Sequence, residues 1–143
     1  MSKSELEQAF WYGWLAFAPS ECPSPEREAK VIPGRQYRFD FAWRDSLVVA
    51  SVEGQMWGGY VRCQRCGSYV IRTTKRGKTY RVREAGGRHF RGSGLTSDAE
   101  KYNLAASLGY VRFVLLKPML EEGLEETVKM VSQTILERTN GTG

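Results

Sequence analysis

The sequence has little histidine and cysteine and no long apolar run. One histidine and three cysteines are a sparse set, which argues against the disulfide framework of a small secreted protein. No apolar run approaches the roughly 18 residues that a membrane helix needs. The N-terminus carries two glutamates and lacks the basic and apolar regions of a signal peptide. We therefore expect a cytoplasmic protein that has no membrane partner.

Length and composition fit one globular domain. With 143 residues, 41% of them hydrophobic and 26% charged, the chain can bury a core but is too short for two independent ones. We therefore predict a single domain over residues 1–143 and look for one functional site.

Positive charge is concentrated in residues 58 to 94. This segment has ten basic residues against one acid and carries +9, whereas the other 106 residues, with 11 basic and 15 acidic side chains, carry −4. Such segregation is typical of a protein that binds a polyanion, because each phosphate that it neutralises releases counterions. A solvated basic face without a partner is the alternative. The predicted DNA-binding residues are Arg62, Arg65, Arg72, Lys75, Arg76, Lys78, Arg81, Arg83, Arg88 and Arg91.

The hydrophobic pattern predicts an α/β fold. A helix over residues 4 to 18, with Ser4 as N-cap, is predicted by a stripe at helical spacing: Leu6, Phe10, Gly13, Trp14 and Phe17. Three prolines make residues 19 to 28 a connector, and strands follow over 35 to 43 and 46 to 54. Turn residues between β-prone runs predict a basic β-hairpin insertion in residues 58 to 94, followed by a glycine-rich loop. Ser97 and Glu100 form a predicted capping box for a helix that stops at Gly109. A buried strand over 110 to 116 and a C-terminal helix over 119–139 complete a mixed sheet flanked by helices.

Two carboxylates in otherwise apolar strands are the candidate chemical site. Asp40 lies on the polar side of its alternating strand, and Glu53 ends the next strand just before Gly54. Carboxylates that project from neighbouring strand ends repel one another unless a divalent cation lies between them, and Mg²⁺ prefers such oxygen ligands. Glu7 borders the apolar face of the first helix and is a third candidate. Structural pairing of these acids with Arg38 or Arg44 is the alternative.

Several stretches resemble small phage and bacterial nucleases of the PD-(D/E)XK superfamily, in the part that includes archaeal-type Holliday junction resolvases and mismatch-type nicking enzymes. The stretches are QYRFDFAW, LVVASVEGQMW, GGRHFRG and DAEKYNLAASLGYVRFVL. The resemblance implies a restriction-endonuclease-like αβββαβ core, Mg²⁺ dependence with Mn²⁺ as a substitute, and a metal site made of a helix glutamate, a strand aspartate and an E-x-K motif. On this chain these residues are Glu7, Asp40, and Glu53 with Gln55.

The sequence departs from that pattern at Gln55, where the family has lysine. A neutral amide cannot accept a proton or supply the charge of an ammonium, although it can orient water. Lys101 is one candidate to replace the missing cation. His89, the single histidine, and Arg91 lie in the glycine-rich loop and are others, and His89 could protonate a leaving oxygen or bind the scissile phosphate.

Cys63 and Cys66 form one CxxC pair, which is half of a closed zinc site. Cys22 and His89 could complete a Cys₃His set, although the sequence does not bring them together. A tight turn with free or mutually oxidised thiols is the preferred interpretation, and zinc is the alternative.

Together these features predict a metal-dependent, structure-selective DNA endonuclease, most simply a Holliday junction resolvase. A homodimer is expected because two symmetric cuts need two active sites. The alternatives are a sequence-preferring nicking or homing endonuclease, and a DNA-binding module whose catalytic set has decayed. An RNA-directed role fits less well, since the sequence has no run of aromatic residues suited to stacking bases.

Overall fold

A computed structural model of the chain describes residues 2–53, 60–83 and 92–140. The elements are α1 (Lys3–Phe17), β1 (Glu26–Ala29), β2 (Phe39–Trp43), β3 (Val48–Glu53), β4 (Ile71–Thr73), β5 (Thr79–Arg81), α2 (Gly92–Ser107), β6 (Val111–Leu116), α3 (Lys117–Glu121) and α4 (Leu124–Asn140). The chain divides into two compact units, which we call the core unit (Met1–Gly54 with Glu100–Gly143) and the basic unit (Gln55–Ala99).

A mixed four-stranded sheet organises the core unit. Its strand order is β1-β2-β3-β6, with antiparallel pairing of β1 with β2 and of β2 with β3, and parallel pairing of β3 with β6. Helices flank this sheet, so the predicted mixed α/β architecture is confirmed. None of the described helices combines the length and the apolar character that a membrane span requires.

Helix α1 begins one residue before the predicted range, and its N-cap lies two residues before the predicted one. Ser2 is the N-cap, because its hydroxyl accepts from the Glu5 amide while the Glu5 carboxylate accepts from the Ser2 amide, so the predicted cap at Ser4 is wrong. The predicted stripe is buried from Leu6 to Trp14. Phe17, at the helix end, is 40% exposed.

The main core lies between the sheet, α1 and α4. Phe10 packs edge-on against Phe41 with ring centroids 4.8 Å apart, and Trp14 packs on Trp43 at 4.9 Å. Three α4 side chains close this core: Val128, Val131 and Ile135. Burying each such side chain contributes about 1.5–3 kcal/mol. A second core on the opposite sheet face includes Ala29, Phe39, Ala42 and Val49, with Ala105 of α2.

The C-terminal helix predicted over 119–139 is two helices. Helix α3 ends at Glu121 and α4 begins at Leu124, and the Thr127 hydroxyl donates to the Met119 carbonyl across the break. Near the end of α4, Arg138 donates to the carbonyls of Ser46 and Gly109, both at 2.7 Å.

Helix α2 starts before its predicted cap and ends where predicted. It begins at Gly92, so Ser97 lies inside the helix, and the predicted capping box with Glu100 is wrong. The Glu100 carboxylate instead pairs with Arg35 at 3.1 Å. Gly109 adopts φ 88, which confirms the predicted stop. The Tyr110 amide donates back to the Ala105 carbonyl, as in a Schellman motif.

Three strands differ from prediction in position or in burial. Strand β1 lies at the end of the predicted connector, and only its last residue is buried, so no apolar alternation marked it. Strand β2 begins at Phe39 and not at Arg35. Strand β6 was predicted to be buried, but as an edge strand of this sheet it buries only Leu115 fully.

The basic unit pairs three short segments of backbone. Strands β4 and β5 form a hairpin whose turn is closed by the Thr74 amide donating to the Lys78 carbonyl at 2.8 Å, as the sequence predicted for KRGK. Two further bridges, Tyr60 with Arg83 and Arg62 with Tyr69, join the first segment to this hairpin.

Gly13 provides a test of the α1 packing. A Cβ atom at Gly13 would lie 2.6–3.0 Å from the side chain of Leu124. We expect Gly13→Ala to destabilise the protein by about 1–3 kcal/mol through overpacking, although alanine in an open helix would stabilise it by about 1 kcal/mol. Urea unfolding measures the change. In a Leu124→Ala background, Gly13→Ala should no longer destabilise the protein. If Gly13→Ala alone raised the free energy of unfolding, this packing would be contradicted.

Candidate metal centre and nucleic-acid interface

Three carboxylates meet on the core unit. Each of Glu7, Glu28 and Asp40 offers an oxygen, and these three oxygens lie within 4.8 Å of one another. Asp40 is buried, Glu7 is half-buried and Glu28 is exposed, so the cluster extends from the sheet to the solvent. These oxygens could hold a divalent cation such as Mg²⁺, which takes oxygen ligands and keeps several of its waters.

The register of β1 on β2 brings two of these acids together. Arg27 pairs with Phe41 and Ala29 with Phe39, so the residue between them, Glu28, lies opposite Asp40. Like charges in directly opposed positions destabilise a sheet. The backbone of Glu28 also adopts φ 51, a left-handed conformation that is strained for a residue with a side chain.

The paired strands change faces at this point, and that change directs Asp40 to α1. Phe41 packs in the main core beneath α1, whereas Phe39, two residues before it, packs in the second core on the opposite face. A regular strand would keep both rings on one face and would turn Asp40 away from α1. Asp40 instead contacts Lys3 and Glu7, both on α1.

The carboxylate of Asp40 is anchored by the next strand. The Val52 amide of β3 donates to its Oδ2 at 2.7 Å, and Asp40 is only 8% exposed. A charge-assisted bond of this kind fixes the carboxylate more firmly than a neutral one. Oδ1 faces Lys3.

Lys3 is the cation of the cluster. Its Nζ lies 3.5 Å from Asp40 Oδ1 and 3.7 Å from Glu7 Oε1. Partial burial opposes its charge, but the charges of Asp40 and Glu7 outweigh this and raise the pKa of Lys3. The charge of Glu53 acts in the same direction. An ammonium group therefore accompanies the acids at neutral pH.

The acidity of Glu7 is strongly perturbed. Burial, a hydrogen bond with Asp40 and the charge of Asp40 raise the pKa of Glu7 to about 7, and Lys3 only partly opposes this. Glu28 adds to the shift. Near neutral pH, Glu7 is therefore partly protonated.

The structure brings together only two of the three predicted metal ligands. Glu7 and Asp40 meet as predicted, but Glu53 lies outside the group whose oxygens are close enough to share one ion. Glu53 Oε1 accepts from the Tyr102 hydroxyl of α2 at 3.3 Å. In this structure Glu28 is the third acid of the group.

Two of the predicted catalytic side chains, Gln55 and His89, lie outside the described residues, as do Arg88 and Arg91. Lys101 is described: its Nζ lies 4.4 Å from the Phe39 ring centroid and 5.8 Å from that of Tyr102. Arg44, an alternative partner for the strand acids, pairs with Glu26 at 2.6 Å.

The three cysteines are free thiols. Cys22 is buried in the core unit, where its Sγ lies 3.5 Å from the Ser132 carbonyl. Cys63 and Cys66 belong to the basic unit. Within the described ranges, the three-acid cluster is the only group of three or more histidine, cysteine or acidic side chains placed to share an ion.

Arginines and tyrosines alternate on the basic unit. The guanidinium carbons of Arg62 and Arg81 lie 4.2 and 4.3 Å from the Tyr69 ring centroid, and that of Arg83 lies 4.7 Å from the centroid of Tyr60. Hydrogen bonds to the tyrosine hydroxyls, at 2.7 Å from Arg62 and 2.9 Å from Arg83, fix two of the guanidinium groups. We call these five residues the Arg–Tyr array.

The array is a pre-organised cationic surface. Stacked guanidinium groups lose less rotational freedom on binding than free side chains do, and their planar donors suit phosphate oxygens. The other described basic residues predicted to bind DNA are exposed on the same unit: Arg65, Arg72, Lys75, Arg76 and Lys78.

Lys3 and Glu28 are the two cluster residues that the sequence did not reveal. Lys3 precedes the predicted start of α1, and Glu28 lies in a segment read as a connector. An earlier N-cap at Ser2 would have been a signal for Lys3, since the capping box with Glu5 is visible in the sequence.

Comparison of the chain with protein-family models, with curated proteins and with solved structures found no match. The cluster and the array are therefore the features that bear on function.

The pKa of Glu7 predicts a pH dependence of stability. Because its folded pKa, about 7, exceeds the value of 4.5 for an unperturbed glutamate, the folded state binds more protons between these values, and stability falls as pH rises through this window. Without divalent metal, Glu7→Gln should stabilise the protein at pH 8 by about 1–2 kcal/mol, a figure reduced for solvent screening, and should have little effect near pH 4.

Urea unfolding of both proteins from pH 4 to pH 8 measures this difference. Glu5→Gln on the same helix is the matched control, because hydrogen bonds from Ser2 lower the pKa of Glu5, so that its loss should destabilise the protein above that pKa. Equal behaviour of the two variants would contradict the assigned environment of Glu7.

Proposed function

We propose that the protein is a divalent-metal-dependent DNA endonuclease with a restriction-endonuclease-like core, selective for branched DNA and acting as a Holliday junction resolvase. The observation that carries the proposal is the convergence of Glu7, Glu28 and Asp40 within 4.8 Å. Mg²⁺ or Mn²⁺ held there would activate a water molecule and polarise a phosphoryl oxygen, which is the chemistry that phosphodiester hydrolysis requires.

The residues of the cluster suit distinct parts of that reaction. Asp40, fixed by the Val52 amide, is a rigid metal ligand, and the exposed Glu28 is open to solvent and substrate. Lys3 supplies positive charge beside the acids, where it can offset the charge of a scissile phosphate. Glu7 gives up its proton when a cation binds, so metal affinity should rise with pH through about 7.

The order of elements supports the nuclease assignment. With the β4–β5 hairpin left aside, the elements α1, β1, β2, β3, α2 and β6 follow the αβββαβ order that the resemblance implies. Asp40 on β2 and Glu7 on α1 occupy the elements that the resemblance assigns to the strand and helix acids. Glu53 and Gln55 remain predicted site residues.

The basic unit supports DNA as the substrate. Its charge of +9 over residues 58 to 94 and the fixed guanidinium groups of the Arg–Tyr array match a phosphate backbone. The chain enters this unit at Gln55, two residues after Glu53.

A homodimer follows from the proposed substrate. A four-way junction has two-fold symmetry, and paired cuts across it need two symmetry-related sites. A nuclease with sequence preference would instead nick plain duplex at preferred sites. The proposal of a DNA-binding module without catalysis draws its support from Gln55, which replaces a lysine in the resembling family.

Cleavage of a labelled four-way junction and of matched linear duplex, in Mg²⁺ and in Mn²⁺, tests the proposal. We expect paired cuts near the branch, and a loss of at least about 100-fold in rate for Asp40→Asn and Glu7→Gln because a metal ligand is removed. Glu125→Gln, an exposed acid paired with Lys129 on α4, is the control and should cut normally.

Other outcomes select the alternatives. Cuts at preferred sequences in linear duplex would indicate a nicking enzyme. Binding that is equal for all variants, with no cutting by the unmodified protein in either metal, would replace the enzyme proposal with a DNA-binding module. A parallel pair, Glu28→Gln and Glu53→Gln, would identify which of these acids completes the metal site.

The Arg–Tyr array gives a separate prediction for binding. Arg81→Ala removes the cation that stacks on Tyr69 and Tyr60, so we expect weaker junction binding and a salt-dependence slope smaller by about one phosphate contact. Fluorescence anisotropy at salt concentrations from about 50 to about 200 mM measures the junction affinity and its salt-dependence slope.

Two matched variants interpret that result. Arg81→Lys keeps the charge but loses the planar guanidinium group. Its junction affinity should fall between those of the unmodified protein and Arg81→Ala. Lys129→Ala removes an exposed cation of α4 and should leave the slope unchanged. Equal effects of Arg81→Ala and Lys129→Ala would argue against a specific role for the array.

A further inference from the structure

Tyr80 differs from the other two tyrosines of the basic unit. Guanidinium groups of the Arg–Tyr array stack on the rings of Tyr60 and Tyr69. Tyr80 is 48% exposed, and no cation or second ring from residues 60–83 stacks on it. This part of the chain therefore presents one aromatic face to the solvent that its own arginines do not cover.

The register of the hairpin places this ring beside an arginine. Arg72 of β4 pairs with Tyr80 of β5, and directly opposed side chains lie on one face of a strand pair. Arg81, the next residue along β5, stacks on Tyr69 in the array. Because consecutive strand residues point to opposite faces, Arg72 and Tyr80 lie on the face of the hairpin that faces away from that stack. We call this pair the Arg72–Tyr80 face.

A shallow cavity of about 390 Å³ lies on this part of the hairpin, and its lining residues are Arg72, Tyr80, Arg81, Val82 and Arg83. Three of these five are arginines, and the sequence from 60 to 83 has no acidic residue, so the cavity attracts an anion. Tyr80 and Val82 add apolar surface, which suits a flat, uncharged group. The cavity is therefore complementary to a ligand that combines both features.

A nucleotide with an unpaired base has this combination. Its phosphate suits the planar donors of an arginine, and its base can stack on an aromatic ring whatever the sequence. Inside a continuous duplex, the neighbouring base pairs already cover both faces of every base. Only an unpaired base can therefore offer a face to Tyr80. A cationic groove with an aromatic ring is the usual means of binding single-stranded nucleic acid.

We propose that the Arg72–Tyr80 face binds an unpaired nucleotide of DNA, with the base stacked on Tyr80 and the phosphate paired with Arg72. The choice of DNA rests on the proposed function. At a branch point the strands leave one duplex for another, and bases there lose stacking partners. The face thus favours branched or gapped DNA over continuous duplex, whereas the Arg–Tyr array binds the phosphate backbone of either.

Fluorescence anisotropy of the full chain tests this preference, with a duplex that has a short single-stranded gap and the same duplex without the gap. Divalent metal is left out so that no strand is cut. Tyr80→Leu removes the ring but keeps an apolar side chain at an exposed position. We expect it to bind the gapped duplex about 10-fold more weakly and the continuous duplex as before. Tyr12→Leu, at an exposed tyrosine of α1, is the control and should bind both as the unmodified protein does.

A gap made of abasic nucleotides separates the contribution of the base from that of the phosphate. This gap keeps the phosphate charges but offers no base, so the unmodified protein should bind it about 10-fold more weakly than the ordinary gap. Tyr80→Leu should bind the two gaps equally, because the base and the ring contribute only together. With 2-aminopurine in the gap, stacking on Tyr80 should quench the fluorescence of this base, and Tyr80→Leu should quench it less.

Three results would overturn the inference: an abasic gap bound as tightly as the ordinary one, an equal loss on gapped and continuous duplex in Tyr80→Leu, or tighter binding of single-stranded RNA than of gapped DNA. Junction cleavage separates this failure from that of the proposed function. Normal cutting together with any of the three would overturn this inference alone. A preference that depends on the base and on Tyr80, in a protein that cuts nothing, would support the inference and contradict the nuclease. No binding of any DNA would overturn both.

Discussion

Repulsion among Glu7, Glu28 and Asp40 is the constraint on which the core unit depends. Oxygens of all three lie within 4.8 Å, an arrangement that would be costly if each were fully charged. Burial and the neighbouring charge of Asp40 raise the pKa of Glu7 to about 7, and Lys3 lies 3.5 Å from Asp40. The Val52 amide stabilises the Asp40 carboxylate. Because these groups come from α1, β1, β2 and β3, the cluster exists only when all four elements are assembled.

The packing beneath the cluster explains why that assembly holds. Phe10 on Phe41 and Trp14 on Trp43 fix α1 across the sheet, and the free energy from this apolar contact exceeds what a few partly screened charges can cost. The strained φ of 51 at Glu28 persists for the same reason, since the strand pairs on either side hold its backbone. Such strain and crowded charge are expected where a site is built for binding and not for stability.

The sequence predicted the acids that follow a strong periodic pattern and missed those that do not. Glu7 borders a helical stripe, and Asp40 takes a polar position in an alternating strand, so both were visible. Glu28 lies in a four-residue strand with three exposed positions, which no hydrophobic period can mark. The face change between Phe39 and Phe41 was equally hidden, because alternation in the sequence assumes a regular strand. The order of elements was accessible from local pattern, but the meeting of Glu28 with Asp40 depends on register, which is a property of two strands together.

The basic unit presents the inverse electrostatic problem. Arg62 and Arg81 both stack on Tyr69, and their like charges repel with little buried apolar surface to offset them. The π faces of Tyr60 and Tyr69 reduce this repulsion but do not neutralise it. A unit that carries +9 over residues 58 to 94 and buries nothing between 60 and 83 gains stability from an anionic partner. A phosphate backbone is such a partner, so binding to DNA would stabilise this surface.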